Sequence, residues 1–399
     1  MSDSGYVLNH YAFDPVVFLR DHWQQRPLLI RQAMIDFQDP LQPEELAGLA
    51  MESGVDSRLV VHHDQRWDVA HGPFEHFDAL PEDGWSLLVQ AVNEHVPDAQ
   101  ALLRAFRFLP DWRIDDLMVS YSTAHGGVGP HVDQYDVFII QGQGQRRWQI
   151  GEKQDLATRL PHPDLKQTEP FTPIIDEILE PGDMIYIPAG FPHAGDTLAP
   201  AMNYSIGFRA PSQAELLSAS ADYALEHDTW QTRFRDQVSQ LLDAERSQLT
   251  DAEPWYLPEA VVNDFQQMLQ QALTDKTQIH RIVAELLSKN PRPPLPEWPE
   301  SPVTESRLPY LISQQPLLFK AVGVRMLTTH LEGQLYAVVQ GHWYSLDEDA
   351  EALFVVLNEM TDCIESMHLN EYLQSSRARQ LLCGLLNEGL FIFSAEAGD

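Results

Sequence analysis

Cysteine is nearly missing from this chain: two residues in 399, Cys363 and Cys383, both near the C-terminus. That excludes a disulfide framework and disfavours a closed structural zinc site built on thiolates. Positive charge is also scarce, with 26 Lys and Arg against 59 Asp and Glu, a formal net charge of −33. Such an excess repels phosphate backbones and anionic lipid and attracts basic proteins, although it also serves solubility alone. No apolar run approaches the ~18 residues of a membrane-spanning helix. The opening "MSDSGYVLNHYAF" has no basic segment followed by an apolar stretch, so no secretory signal is expected. A soluble cytoplasmic protein with no membrane partner is the plain expectation. What is present is material for a sizeable core, 44% hydrophobic and 10% aromatic residues, over a length that suggests two or three domains.

The texture changes several times along the chain. "DPVVFLRDHWQQRPLLIR" reads as a short helix leading into a strand, "PEELAGLAMES" as a helix with proline in its first turn, and "WSLLVQAVNEHVPDAQALLRAF" as a helical stretch interrupted near Pro97. From Trp112 the segments "DLMVSYS", "DVFIIQG", "RRWQIG", "EILEPGDMIYIPAG" and "MNYSIGFRA" are short, β-branched or aromatic, and punctuated by Gly, Pro and Asp. They predict an antiparallel jelly roll or barrel. Ser212 and Glu215 form a capping box that starts a helical segment over 212–290. The proline cluster at 291–303 reads as a linker. Strands and two helices over 304–399 suggest a small winged-helix-like module. From Thr304 onward there are 5 Lys and Arg against 13 Asp and Glu, which disfavours DNA as a partner. The fold class is therefore α+β: N-terminal helices and a jelly roll over 1–211, then the helical segment, the linker and the C-terminal module.

In "GPHVDQYDVFIIQGQGQRRW", strand alternation puts His131 and Asp133 on one face, as chelation from one strand end requires. Alone, the pair is equally a turn histidine and an Asx-turn. A partner lies downstream in "EPGDMIYIPAGFPHAG", where a tight turn, a buried strand and a second turn present His193. That spacing matches the second motif of cupin-type jelly rolls. Two imidazoles and one carboxylate make a facial triad, which leaves positions open and favours non-haem Fe(II). "QYDVFI" supplies no glutamate for a four-ligand cupin site, which shifts the reading towards oxygenases. In 2-oxoglutarate oxygenases the open positions take the 2-oxo acid and O2, and the remote carboxylate then needs a cation. Arg146 shares its face with Trp148 and Ile150, so it points inward, whereas Arg147 points outward. Ser120 lies opposite the Leu117, Val119 and Tyr121 face and is a candidate for the same carboxylate or a simple strand serine. The "GQGQRR" glycines are a hairpin turn, since no Gly-Lys-Ser/Thr follows.

These residues resemble the Jumonji C ribosomal-oxygenase family, through "LPDWRIDDLMVSYSTAHGGVGPHVDQYDVFIIQGQGQRRW", "EPGDMIYIPAGFPH" and "AMNYSIGFRAP". The likeness is strongest to its bacterial branch, where an arginine stands at the position of Arg146. It implies a double-stranded β-helix core, dimerisation through the helical segment, and C3 hydroxylation of an arginine in a basic large-subunit ribosomal protein. By motif, His131, Asp133 and His193 match the iron ligands, Arg146 the residue pairing with the 2-oxoglutarate carboxylate, and Ser120 a position near it. Asn203 and Ser205 share a strand face that lines the pocket. Asp115, Asp116, Tyr135 and Asp136 are candidates for contact with the substrate arginine. Three alternatives stay open: a cupin-type dioxygenase acting on a small molecule, a lysyl demethylase, and a non-catalytic acidic binding protein for ribosomal proteins.

Overall fold

The computed structural model describes residues 5–64, 66–235, 257–360 and 363–394. Its β structure begins well before Trp112. After helix α1 (Pro15–Asp21), strand β1 (Leu28–Ile30) and helix α2 (Pro43–Leu49), the strands β2 (Ser57–His63) and β3 (Arg66–His71) form an antiparallel hairpin. Trp85–Val89, expected as helix, is strand β4. It pairs with β2 on one side and with β5 (Ile114–Ser122) on the other. Leu87 and Val89 face one apolar cluster and Leu88 faces another. A strand buried on both faces has no polar alternation, and its continuous apolar run mimics a buried helix. Of the expected helical stretch, Pro97–Leu103 (α3) is α-helical, with Pro97 as its first residue and a short 3-10 turn on either side.

The remaining strands of this unit are β6 (His131–Val132), β7 (Asp136–Gln141), β8 (Gln145–Gly151), β9 (Thr158–His162), β10 (Leu165–Thr168), β11 (Pro173–Leu179), β12 (Met184–Ile187), β13 (Pro192–Ala199) and β14 (Ala201–Phe208). They build an eight-stranded sheet in the order β1-β12-β7-β14-β5-β4-β2-β3 and a four-stranded sheet in the order β11-β8-β13-β6, with β9 and β10 as a separate hairpin. Alternate residues of the large sheet serve two cores. Phe138, Ile140, Tyr186, Tyr204, Ile206 and Phe208 face outward into a cluster shared with Phe18 of α1, Leu46 of α2 and Leu102 of α3. Val137, Ile139, Ile185 and Ile187 face inward and meet Trp148, Ile150 and Leu179 of the small sheet. The jelly roll is thus a two-sheet sandwich whose outer wall is sealed by the N-terminal helices, leaving the inner face to carry chemistry.

The chain divides into two compact units, Met1–Ala210 with Thr361–Cys363, and Pro211–Met360 with Ile364–Asp399. In the second, Ser212 and Glu215 cap α4 (Gln213–Glu226) reciprocally. Helices α5 (Glu259–Ala272) and α6 (Lys276–Ser288) follow; residues 236–256 of the expected helical run lie outside the described residues. Beyond the proline cluster, α7 (Leu308–Gln314), α8 (Glu348–Glu359) and α9 (Ser376–Asn387) pack with two three-stranded sheets around Leu353, Leu357, Leu381 and Leu385.

Phe138 is fully buried and lies within 6.5 Å, centroid to centroid, of Phe18, Trp23, Phe106, Phe108, Tyr186 and Phe208. Phe138→Ala should destabilise the jelly-roll unit by about 3–5 kcal/mol. Urea unfolding followed by tryptophan fluorescence would show this as an earlier transition, and an unchanged midpoint would mean that the outer wall does not hold the sheet.

Candidate active site

The short strand β6 pairs antiparallel with β13, and the register sets His193 directly opposite His131. Paired residues project to the same side of a sheet, so both imidazoles enter the interior, with ring centroids 4.2 Å apart. Asp133 follows two residues after His131; its Oδ2 lies 3.5 Å from His193 Nε2 and 3.8 Å from His131 Nε2. One ligand atom from each of the three residues falls within 4.8 Å of the others. His193 is reached through a turn at Gly190, where φ is +86°, a left-handed conformation that glycine adopts without strain. The Gly190 N–H donates to the Asp133 carbonyl at 2.8 Å, which ties the turn to the loop bearing the carboxylate.

Each imidazole is oriented from behind. His131 Nδ1 lies 3.0 Å from the Gly129 carbonyl, and His193 Nδ1 lies 3.0 Å from the Phe191 carbonyl. A carbonyl accepts only, so both Nδ1 atoms carry hydrogen and both Nε2 atoms face Asp133. Burial, reinforced by the neighbouring His193, drives His131 down to about 4. Burial alone would raise the Asp133 carboxyl. The contact with His193 at 3.5 Å and the proximity of His131 and the Arg58 cation outweigh it and hold the group at about 2. At neutral pH His131 is therefore an uncharged imidazole and Asp133 a carboxylate, the protonation states that a divalent cation requires of its ligands. The donor set, two imidazoles and one carboxylate on one side of a point, fits a non-haem Fe(II) site.

Arg146 and Arg147 separate as strand alternation requires. Arg147 is exposed and forms a bidentate pair with Asp176, Nε and Nη2 each 2.6 Å from a carboxylate oxygen. Arg146 is 5% exposed, lies over the Trp148 ring at 4.9 Å, and has no carboxylate within ion-pair distance among the described residues. Its Nη1 donates to Asn203 Oδ1 and its Nη2 to the Gly195 carbonyl, both at a long 3.3 Å, and its Nε is buried without a partner. Asn203 is braced in turn by Gln141, which accepts from Asn203 Nδ2 at 2.9 Å. Burial lowers the guanidinium to about 10, opposed by Asp196, and it remains charged at neutral pH. A buried cation with spare donors demands an anion, and a carboxylate such as the remote end of 2-oxoglutarate fits it bidentately. Ser120 is buried directly opposite Asn203, and Ser205 is half-buried further along the same face of β14.

On the other side of the triad a cavity of about 830 Å³ is lined by His131, Asp133, Gln134, Arg58, Lys153 and Gln167, among others. The β9–β10 hairpin forms one wall, fixed where Gln167 Nε2 donates to the Val128 carbonyl at 2.9 Å. Of the four residues considered for substrate contact, Asp136 is engaged on the outer face: it accepts from Tyr186 at 2.7 Å and from Gln24 at 3.1 Å, and pairs with Arg113 at 3.4 Å. Asp116 is buried and accepts from the Ala91 N–H. Tyr135 and the Asp116 carboxylate converge over Gly207, with Asp115 beside them. Burial and the charges of Asp133 and Asp116 push the Tyr135 phenol well above its ordinary range. Sequence reasoning passed over Arg58, Gln141 and Gly195. For Arg58 the signal was alternation in "SRLVV", which puts it on the inner face with Val60.

Gly195 is required by proximity: a Cβ there would lie 2.6 Å from Arg146 Nε and 3.0 Å from its Cζ. Gly195→Ala should displace the guanidinium and weaken binding of a dicarboxylic acid by about 1–3 kcal/mol, the usual cost of overpacking. Titration calorimetry of Mn(II)-loaded protein with 2-oxoglutarate would measure it. Unchanged affinity would show that Arg146 relaxes freely.

The JmjC domain family matches residues 101–216. The ribosomal protein uL16 3-hydroxylase of Escherichia coli (strain K12) is 61% identical over 220 residues, covering 55% of this chain and 59% of that protein. The probable ribosomal oxygenase of Haemophilus influenzae is 38% identical over 51% of each chain. The chain thus spans between half and three-fifths of the length of these curated relatives. Among solved structures, Escherichia coli YcfD superposes with a TM-score of 0.81 at 40% identity, covering 98% of this chain and 100% of that one. The same ribosomal oxygenase in complex with cobalt and 2-oxoglutarate superposes with a TM-score of 0.79 at 39% identity, over 97% and 99% of the two chains. Full-length likeness at that identity, a JmjC cupin-like fold and the clustered His131, Asp133 and His193 lead to one conclusion: this chain belongs to the JmjC ribosomal oxygenases.

Proposed function

We propose that the protein is an Fe(II)- and 2-oxoglutarate-dependent oxygenase that hydroxylates C3 of an arginine side chain in a basic large-subunit ribosomal protein. The observation that carries this reading is the pairing of an open His131–Asp133–His193 triad with Arg146, a buried guanidinium that lacks a carboxylate. In this reading His131, Asp133 and His193 hold the iron, and Arg146 holds the remote carboxylate of 2-oxoglutarate. Ser120, Asn203 and Ser205 line the pocket around it. Bound iron with 2-oxoglutarate and O2 supplies the oxidation: one oxygen atom enters the substrate C–H bond, the other enters succinate, and carbon dioxide leaves. The protein's part is to keep one face of the metal open, to keep Asp133 ionised and His131 neutral, and to exclude water behind the large sheet. The named activity of the Escherichia coli relative supplies the substrate class.

The charge of −33 supports a basic partner, since long-range attraction raises the encounter rate with an arginine-rich protein. It also speaks against DNA. Helices α4 and α5 expose Leu217, Leu225, Val262, Phe265 and Leu269, apolar surface suited to a second copy and hence to a homodimer. In this reading the strands and helices beyond residue 304 form a winged-helix-like module that serves docking. No described helix is long and apolar enough to cross a membrane, and a cytoplasmic location follows from the substrate.

Incubation with Fe(II), ascorbate, 2-oxoglutarate and a panel of basic ribosomal peptides should add one oxygen atom to an arginine, matched by carbon dioxide release. The rate at low substrate should fall as salt rises. Demethylation of a methyl-lysine peptide, with no peptide gaining oxygen, would overturn the reading. Arg146→Met should cost about 1.5–3 kcal/mol of 2-oxoglutarate binding. Arg147→Ala should leave 2-oxoglutarate binding unchanged, since its exposed guanidinium pairs with Asp176 outside the pocket. Equal losses at the two positions in the same calorimetric titration would refute the assignment of Arg146.

A further inference from the structure

In a chain with 59 acidic residues against 26 basic ones, an interior arginine without a carboxylate is unusual. Arg146 is one. Half-buried Arg58 is another: no hydrogen bond or ion pair forms on its side chain among the described residues, its Nε is buried without a partner, and it acts on the Asp133 carboxylate only beyond ion-pair distance. Strand register shows where it points. Arg58 stands opposite Leu88, Leu88 opposite Ser120, and Ser120 opposite Asn203, a single inner-face row across four strands. Arg58 lines the same cavity as His131 and Asp133, whereas Arg146 does not line it. The two guanidinium groups therefore flank the triad and serve different ligands. If Arg146 takes the co-substrate, Arg58 faces what enters through the cavity.

We propose that Arg58 binds a main-chain carbonyl of the substrate polypeptide beside the triad and so fixes the β-carbon of the target residue, rather than the end of its side chain, at the oxidising position. The inference rests on the reading of the protein as a polypeptide oxygenase. A basic polypeptide offers few carboxylates but one carbonyl per residue, and the fork of a guanidinium grips such an oxygen directionally. Among the other lining groups, which include the charged Lys153, Asp155, Asp164 and Lys166, the neutral Gln134, Gln154, Thr158 and Gln167 can hydrogen-bond a main chain as well. The β-carbon is C3 and is bonded directly to the main-chain α-carbon. Oxidation there needs the backbone close to the metal, whereas oxidation near a side-chain end leaves the backbone at the cavity mouth. A cation in this place also repels the target's own guanidinium and turns it away from the backbone anchor.

The test uses the full chain with Arg58→Met, which keeps length and loses the donors, and Arg58→Lys, which keeps charge and loses the fork. Mn(II)-loaded protein is titrated with 2-oxoglutarate, and the Fe(II) enzyme is assayed on the ribosomal peptide that the wild type modifies, with tandem mass spectrometry locating the oxygen. Arg58→Met should bind 2-oxoglutarate as the wild type does. Its peptide KM should rise about tenfold or more, the loss of a charge-assisted hydrogen bond. Its 2-oxoglutarate turnover should run partly uncoupled, and the hydroxyl should spread to carbons beyond the β-carbon. Arg58→Lys should shift KM and regiochemistry in the same direction but less, and it carries the test if the methionine variant does not fold. Wild-type KM with the oxygen still confined to the β-carbon would overturn the proposal, as would loss of 2-oxoglutarate binding in both variants. If the wild type oxidises no ribosomal peptide, the functional reading fails first and the role of Arg58 falls with it.

Discussion

The chemistry of this protein depends on one register, His193 of β13 opposite His131 of β6. A slip of one residue would send one imidazole to the far side of the sheet. Yet β6 has only two residues, too few to specify pairing by itself. The register is enforced from outside the strand. The Thr168 N–H donates to the Pro130 carbonyl on one flank of the pair, and the Gly190 N–H donates to the Asp133 carbonyl on the other. The hairpin β9–β10 is thus more than a cavity wall. It clamps the start of the short strand on which the metal ligands depend.

Charge explains the second feature of the interior. Several arginines elsewhere in the chain are matched to acids: Arg31 with Asp183 and Glu177, Arg113 with Asp136, Arg147 with Asp176, Arg379 with Glu305. With acids in more than twofold excess, leaving a shielded guanidinium unmatched requires keeping acids away from it. The inner face does this with amides and small residues. Asn203 and Gln141 meet Arg146 through an amide relay, and Gly195 gives its guanidinium room. A neutral cradle lets the cation keep its attraction for an incoming anion, where a resident carboxylate would cancel it.

How much of this the amino acids announce depends on the element. Alternation in "QRRWQIG" separates Arg146 from Arg147, and the turn-strand-turn pattern around Gly182 to His193 marks a histidine presented by a turn. Both are local signals. The strand Trp85–Val89 was hidden because both its faces are buried, and a short run whose single polar residue, Ser86, is itself buried carries no clear period. Gly195 and Gln141 were hidden for another reason: what they support is the side chain of a residue on a neighbouring strand. Arg58 lies on β2, separated from His131 by more than seventy residues of sequence, and its approach to the triad is a consequence of sheet order alone.

Asp136 shows how position changes the meaning of a residue. Three places after Asp133, it reads as a possible substrate contact, but strand β7 turns it to the outer face. There Tyr186, Gln24 and Arg113 all converge on its carboxylate. Tyr186 also accepts from the Gln24 N–H at 2.8 Å, which links the end of the α1 segment to the sheet. Asp133 itself belongs to no strand. It is held between the His131 pairing on one side and the Asp136 anchor on the other, a loop of two residues, Gln134 and Tyr135, with both ends fixed. The carboxylate that completes the triad therefore takes its position from each face of the large sheet: its chemistry is inside, and its rigidity comes from the polar network packed against the helices outside.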